Sequence, residues 1–127
     1  METVKLFPQP GLDEIFVEVN GLRMSLVSGY TCRAERITEP AGEETGEMTE
    51  ESVVYTVELV RMLSHGEYND GINFHELAHF DVTVLKNNMH VRYTDCEWST
   101  ITESGSSDAG VLETTVITSK GRSELKF

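Results

Sequence analysis

His75-Glu76-Leu77-Ala78-His79 is the stretch of this sequence whose residue types and spacing could do chemistry. On an α-helix, two histidines at i and i+4 share a face and can hold one Zn²⁺, with the glutamate as general base on a metal-bound water. A zinc metallopeptidase built on His75, Glu76 and His79 also needs a rigid helix and a third protein ligand. Here Phe80-Asp81-Val82-Thr83-Val84-Leu85 follows at once, and its alternation reads as a strand. His65, His90 and Glu97 could serve as a third ligand in type, but no second helix delivers them. Phe74, Leu77 and Ala78, at i, i+3 and i+4, explain a short α-helix over about residues 71–80 as a packing element that Asp70 can cap. The expectation is therefore a decoy, with no catalytic residue, no metal ligand and no cofactor. His75, Glu76 and His79 would then be partly exposed polar residues beside a buried face.

No other chemistry has a comparable pattern. The sequence lacks a nucleophile elbow, a P-loop and a dinucleotide fingerprint. Cys32 and Cys96 belong to no CxxC pair, and two cysteines make no disulfide scaffold. They read as free, mostly buried thiols in a chain made in a reducing cytoplasm. Trp98, the only tryptophan, reads as a core anchor.

Charge narrows the function classes further. The 127 residues carry 22 acidic and 10 basic side chains, a net charge of -12. Gripping nucleic acid requires cations for phosphates, and an anionic membrane surface repels such a chain, so neither is an expected partner. No apolar run approaches the length of a membrane-spanning helix, and Met1 to Pro10 lacks the pattern of a secretory signal. Glu39, Glu43, Glu44, Glu47, Glu50 and Glu51 crowd residues 38–52, which contain no basic side chain. This segment reads as a long acidic loop between two strands, and loops of that length in compact domains are usually functional.

The elements that must position these residues are mostly strands. Residues 14–19 alternate and lead into Asn20-Gly21, the strongest short hairpin signal, with a partner strand over 23–27. Residues 29–37 and 51–63 are further strands, the second with Val53, Tyr55, Val57 and Leu59 on one face. After the helix come strands over 81–86 and 89–94, joined by Asn87-Asn88, and a last pair over 97–102 and 111–118. The tail from residue 119 reads as peripheral. The sum is one mainly β domain over 1–127, an antiparallel β-sandwich or partly closed barrel with one short flanking α-helix.

The order of these features resembles the tail tube proteins of contractile-tailed phages and related phage-derived injection particles. The residues that carry the resemblance are Val19-Asn20-Gly21, Gly29-Tyr30-Thr31, the acidic loop, Tyr55-Thr56-Val57-Glu58-Leu59, Asn73-Phe74-His75-Glu76-Leu77, and Phe80-Asp81-Val82-Thr83-Val84. Tyr93-Thr94-Asp95-Cys96-Glu97-Trp98 and a closing strand over 113–119 complete it. The resemblance implies a structural, non-enzymatic virion protein, made in the host cytoplasm and located in the tail. Its partners would be itself, in hexameric rings stacked into a hollow tube, and sheath, baseplate or terminator proteins. DNA would pass through the lumen without specific binding, past like charge. The loop over 38–52 would reach the adjoining ring, where Arg33, Arg36 or Arg61 of a neighbour could meet it. The alternatives are the zinc metallopeptidase above and a monomeric or small-oligomer β-sandwich adaptor of a phage tail.

Overall fold

A computed structural model describes residues 15–25, 27–40, 49–64, 67–86, 88–106 and 110–126. Eight strands follow in chain order: β1 (Phe16–Val19), β2 (Leu22–Arg23), β3 (Val27–Pro40), β4 (Thr49–Leu63), β5 (Phe80–Lys86), β6 (Met89–Ser106), β7 (Gly110–Ser119) and β8 (Gly121–Lys126). Every pairing is antiparallel. Their order is β2-β1-β5-β6-β7-β4-β3, with β8 beside β6, and the sheet does not close on itself.

The turn between β1 and β2 is the hairpin that Asn20-Gly21 predicts. Asn20 has φ 51° and Gly21 φ 86°, the left-handed pair that a tight two-residue turn requires. Asn20 also exchanges hydrogen bonds with β5: its N–H donates to the Asp81 carbonyl at 2.9 Å, and its Oδ1 accepts from the Asp81 N–H at 2.9 Å.

β6 organises the two layers. Its first half pairs with β5 on one edge and β8 on the other, and its second half pairs with β7. Between the halves Asp95 takes φ 53°, with pairing irregularities on either side. Such a break lets one strand leave one layer and enter the next. The core lies between the layers. Val17, Val19, Val82, Val84, Val91 and Tyr93 come from one side and Val57, Leu59 and Ile117 from the other, all at most 1% exposed.

Four expectations need correction. The α-helix over 71–80 is a single 3-10 turn, Phe74–Glu76, capped by Asn73, whose Oδ1 accepts the His75 N–H at 3.1 Å. Ile72, Phe74 and Phe80 are the buried anchors of this segment, while Ala78 is exposed. Burial at alternate positions holds the chain near extended, and one turn cannot repay helix nucleation. The acidic segment is not loop throughout: β3 and β4 stay paired out to Pro40↔Thr49, so 38–40 and 49–52 belong to strands. The two strands expected over 89–94 and 97–102 are one, β6, which runs from Met89 to Ser106 and bends at Asp95 without ending there. The peripheral tail is β8, paired with β6 from Thr94↔Gly121 to Met89↔Lys126.

Candidate functional site

Alternation along β4 turns Val57, Leu59, Arg61 and Leu63 inward, so a guanidinium occupies a core position. The Arg61 side chain is 1% exposed. Its Nε donates to Glu113 Oε1 at 2.8 Å, and one terminal nitrogen donates to both Asp70 oxygens at 3.0 and 2.9 Å. The other donates to the Ile72 carbonyl at 2.7 Å. The Tyr68 and Phe74 rings flank the guanidinium at 5.4 and 5.3 Å. A buried charge is tolerable only when paired and hydrogen-bonded in this way.

Asp70 extends the cluster. It accepts the backbone N–H of Ser25 and of Ile72, each at 3.0 Å. Burial pushes its carboxyl up, but these N–H groups and Arg61 outweigh that and hold it below the usual carboxylate range. The result ties the β2–β3 link and the β4–β5 connection to the middle of the sheet.

Glu113 lies directly across from Arg61 on β7, and Glu103 directly across from Glu113 on β6. The three therefore form one row on the same face. Glu113 is 1% exposed, and its second oxygen, Oε2, is buried without a hydrogen-bond partner among the described residues. His75 reaches this row from the 3-10 turn, with Nε2 3.6 Å from Glu103 Oε2. One ligand-capable atom from each of His75, Glu103 and Glu113 lies within 4.8 Å of the others. The Trp98 indole stands edge-on to the His75 ring at 6.1 Å and donates to the Leu77 carbonyl at 3.1 Å. Burial pushes the Tyr68 phenol up, and the neighbouring Glu103 and Glu113 add to this.

The other residues of the zinc-like motif go elsewhere. His79 Nδ1 sits 2.9 Å from Asp95 Oδ1 and 3.6 Å from Glu97 Oε2. Glu76 is exposed. The backbone is extended at Leu77, so the helical stacking that would put His75 and His79 on one face is absent.

Of the acidic residues expected to contact a neighbour, Glu39 lies opposite Glu50, and Glu51 opposite Thr38, at the far end of the β3–β4 hairpin. Glu43, Glu44 and Glu47 lie outside the described residues. Arg33 and Arg36 are exposed on β3. Arg61 is spent inside its own chain and does not reach a neighbour.

Both cysteines are free. Cys96 is fully buried, and burial pushes its thiol up to about 11. Cys32 accepts a hydrogen bond from the Tyr93 hydroxyl at 3.0 Å, and Tyr93 and Tyr30 share another at 3.1 Å. These polar groups lie between the layers, next to the core.

The row Arg61–Glu113–Glu103 escaped the sequence reading, although its signal was present. Arg61 continues the inward series of β4. Glu113 heads the inward series Thr115, Ile117 and Ser119 of β7.

No family model and no curated protein matches the chain in sequence. Solved structures do match in fold. A chain of the tail of an empty GTA particle, refined with C6 symmetry, superposes with a TM-score of 0.61 at 12% identity, covering 94% of this chain and 99% of that one. A chain of the PVC sheath–tube complex, an extracellular contractile injection system in its extended state, gives 0.58 at 12% identity, covering 94% and 93%. A chain of the anti-feeding prophage cap, which terminates the tube, gives 0.57 at 9% identity, covering 99% and 97%. The chain thus shares, over nearly its whole length, the fold of chains from the GTA tail, the PVC sheath–tube complex and the anti-feeding prophage cap.

Proposed function

We propose that this chain is a structural subunit of a phage-like tail, one that assembles with copies of itself into rings that stack as a hollow tube. The observation that carries the reading is the end-to-end coverage. The match to tail and tube-cap chains takes in more than nine-tenths of this chain and of each of them. A likeness that takes in nearly all of each chain supports a shared architectural task.

The remaining features agree. The strand order ends on β2 and β3, edges that a neighbour in a closed ring can cover by pairing. A hexameric ring is the natural order for such a subunit, given the C6 symmetry of the GTA tail. The net charge of -12 suits a conduit that DNA passes without adhering, because like charge repels phosphate. The end of the β3–β4 hairpin supplies the contact to the next ring. Sheath, baseplate and terminator proteins are the partners, and the virion tail is the location.

A second reading has its own support. The fit to the tube-terminating cap is as good as the fit to the sheath–tube chain, with TM-scores of 0.57 and 0.58. In that reading the chain forms a single ring that closes a tube. Negative-stain microscopy with light scattering on the full chain tests both. Stacked tubes are expected for a tube subunit and isolated rings for a terminator. A monodisperse monomer at high concentration, at every salt concentration tried, overturns both.

A further inference from the structure

The cross-strand row Arg61–Glu113–Glu103 is unbalanced in charge. Arg61 is already neutralised by Asp70 through two hydrogen bonds. Glu113 and Glu103 then face each other as a like-charged pair, an arrangement that destabilises a sheet unless a cation intervenes. Glu113 spends Oε1 on Arg61 and leaves Oε2 buried with no hydrogen-bond partner among the described residues. Such an orphaned acceptor carries a desolvation cost that a ligand would remove. His75 completes the group with a ring nitrogen 3.6 Å from Glu103, and its ring rests against Trp98.

We infer that His75, Glu103 and Glu113 form a site for a divalent transition-metal cation of the Zn²⁺ class. The donor set decides the class. One imidazole nitrogen with two carboxylates suits Zn²⁺ and its neighbours, whereas Mg²⁺ and Ca²⁺ prefer oxygen alone. The close grouping of their ligand atoms, all within 4.8 Å of one another, allows one ion to reach all three after small side-chain adjustments. Glu113 is anchored by Arg61, so the buried side of the site is preorganised. His75 is 49% exposed and Glu103 44%, so the ion enters from solvent. The bound ion would clamp the β4–β5 connection onto β6 and β7. This site takes one histidine of the HExxH segment but neither Glu76 nor His79, so it is a staple and not the centre of a metallopeptidase.

The test is calorimetric titration of Zn²⁺ into the full chain after chelator treatment, with the thermal midpoint followed in parallel. One ion per chain and a raised midpoint are expected. His75→Ala and Glu103→Gln should each weaken binding by about tenfold or more and abolish the zinc-dependent rise; without metal, His75→Ala should leave the midpoint in place, and Glu103→Gln should raise it slightly by removing the like charge opposite Glu113. His79→Ala should bind as the parent does. An equal concentration of Mg²⁺ should not compete. Absence of saturable binding, binding indifferent to His75→Ala and Glu103→Gln, or binding lost with His79→Ala each overturns the inference. None of these readouts depends on whether the chain forms rings.

Discussion

Arg61 shows how one side chain can govern a region of a small β protein. It is buried against two carboxylates and a carbonyl, so truncation strands two charges. Arg61→Ala should cost about 3–5 kcal/mol of folding stability by urea denaturation, whereas Arg33→Ala on the exposed face of β3 should stay within about 0.5 kcal/mol. Asp70 and Asp81 both lie below their ordinary value of 3.8, Asp81 chiefly through its hydrogen bond with Arg92. A carboxylate with a depressed folded value contributes stability that is complete above the unfolded value and is lost as pH falls through the folded one. Stability should therefore hold near neutrality and fall once the pH drops below 3.8. Asp70→Asn should be less stable at neutral pH and show a shallower acid decline. Cys96, buried with its thiol pushed up to about 11, should resist a thiol-specific reagent until the protein unfolds, because the thiolate is the reactive species.

At the scale of elements, the bend in β6 is the feature to probe. Asp95 holds φ 53° there, and its N–H donates to Asp81 Oδ1 at 3.1 Å. Asp95→Gly should be tolerated, while Asp95→Val should cost about 1–2 kcal/mol because a β-branched side chain resists the left-handed region. The connection between β4 and β5 is a second such element. It is secured by Phe74, which is 0% exposed, and Phe74→Ala should destabilise by about 3–5 kcal/mol. The α-helix expected here failed for an identifiable reason. Phe74, Leu77 and Ala78 do sit at helical spacing, but Ile72, Phe74 and Phe80 take the buried positions, and tertiary anchoring outweighs a weak local preference.

At the scale of the molecule, β3 and β4 pair as far as Pro40↔Thr49, so a two-residue turn can join them there. Replacing residues 41–48 with Asn-Gly should leave the thermal midpoint unchanged, since that dipeptide closes paired strands. If the hairpin end reaches the next ring, the same variant should give isolated rings in negative stain where the parent gives tubes. Added salt should favour assembly of the parent, because the net charge of -12 makes subunits repel one another and salt screens that repulsion.

The strands were legible from the sequence because period-two burial is a local property. Val57 and Leu59, Val82 and Val84, and Val91 and Tyr93 each announce an inward face without reference to any partner. The Asn20-Gly21 turn was legible for the same reason. The acidic ends of β3 and β4 and the tail that became β8 were not, since their strand character comes from ladders with other segments. The pairing of Arg61 with Glu113 spans 52 positions, and only the β4–β7 register brings the two together. The HExxH segment shows the same division. Its residues set out a possible chemistry, but the sheet decided which neighbours they received, placing His75 on Glu103 and His79 on Asp95. Local alternation determined that this chain would be a β protein. Non-local strand pairing decided where its charges meet, because burial forces every inward charge to find a partner across the sheet.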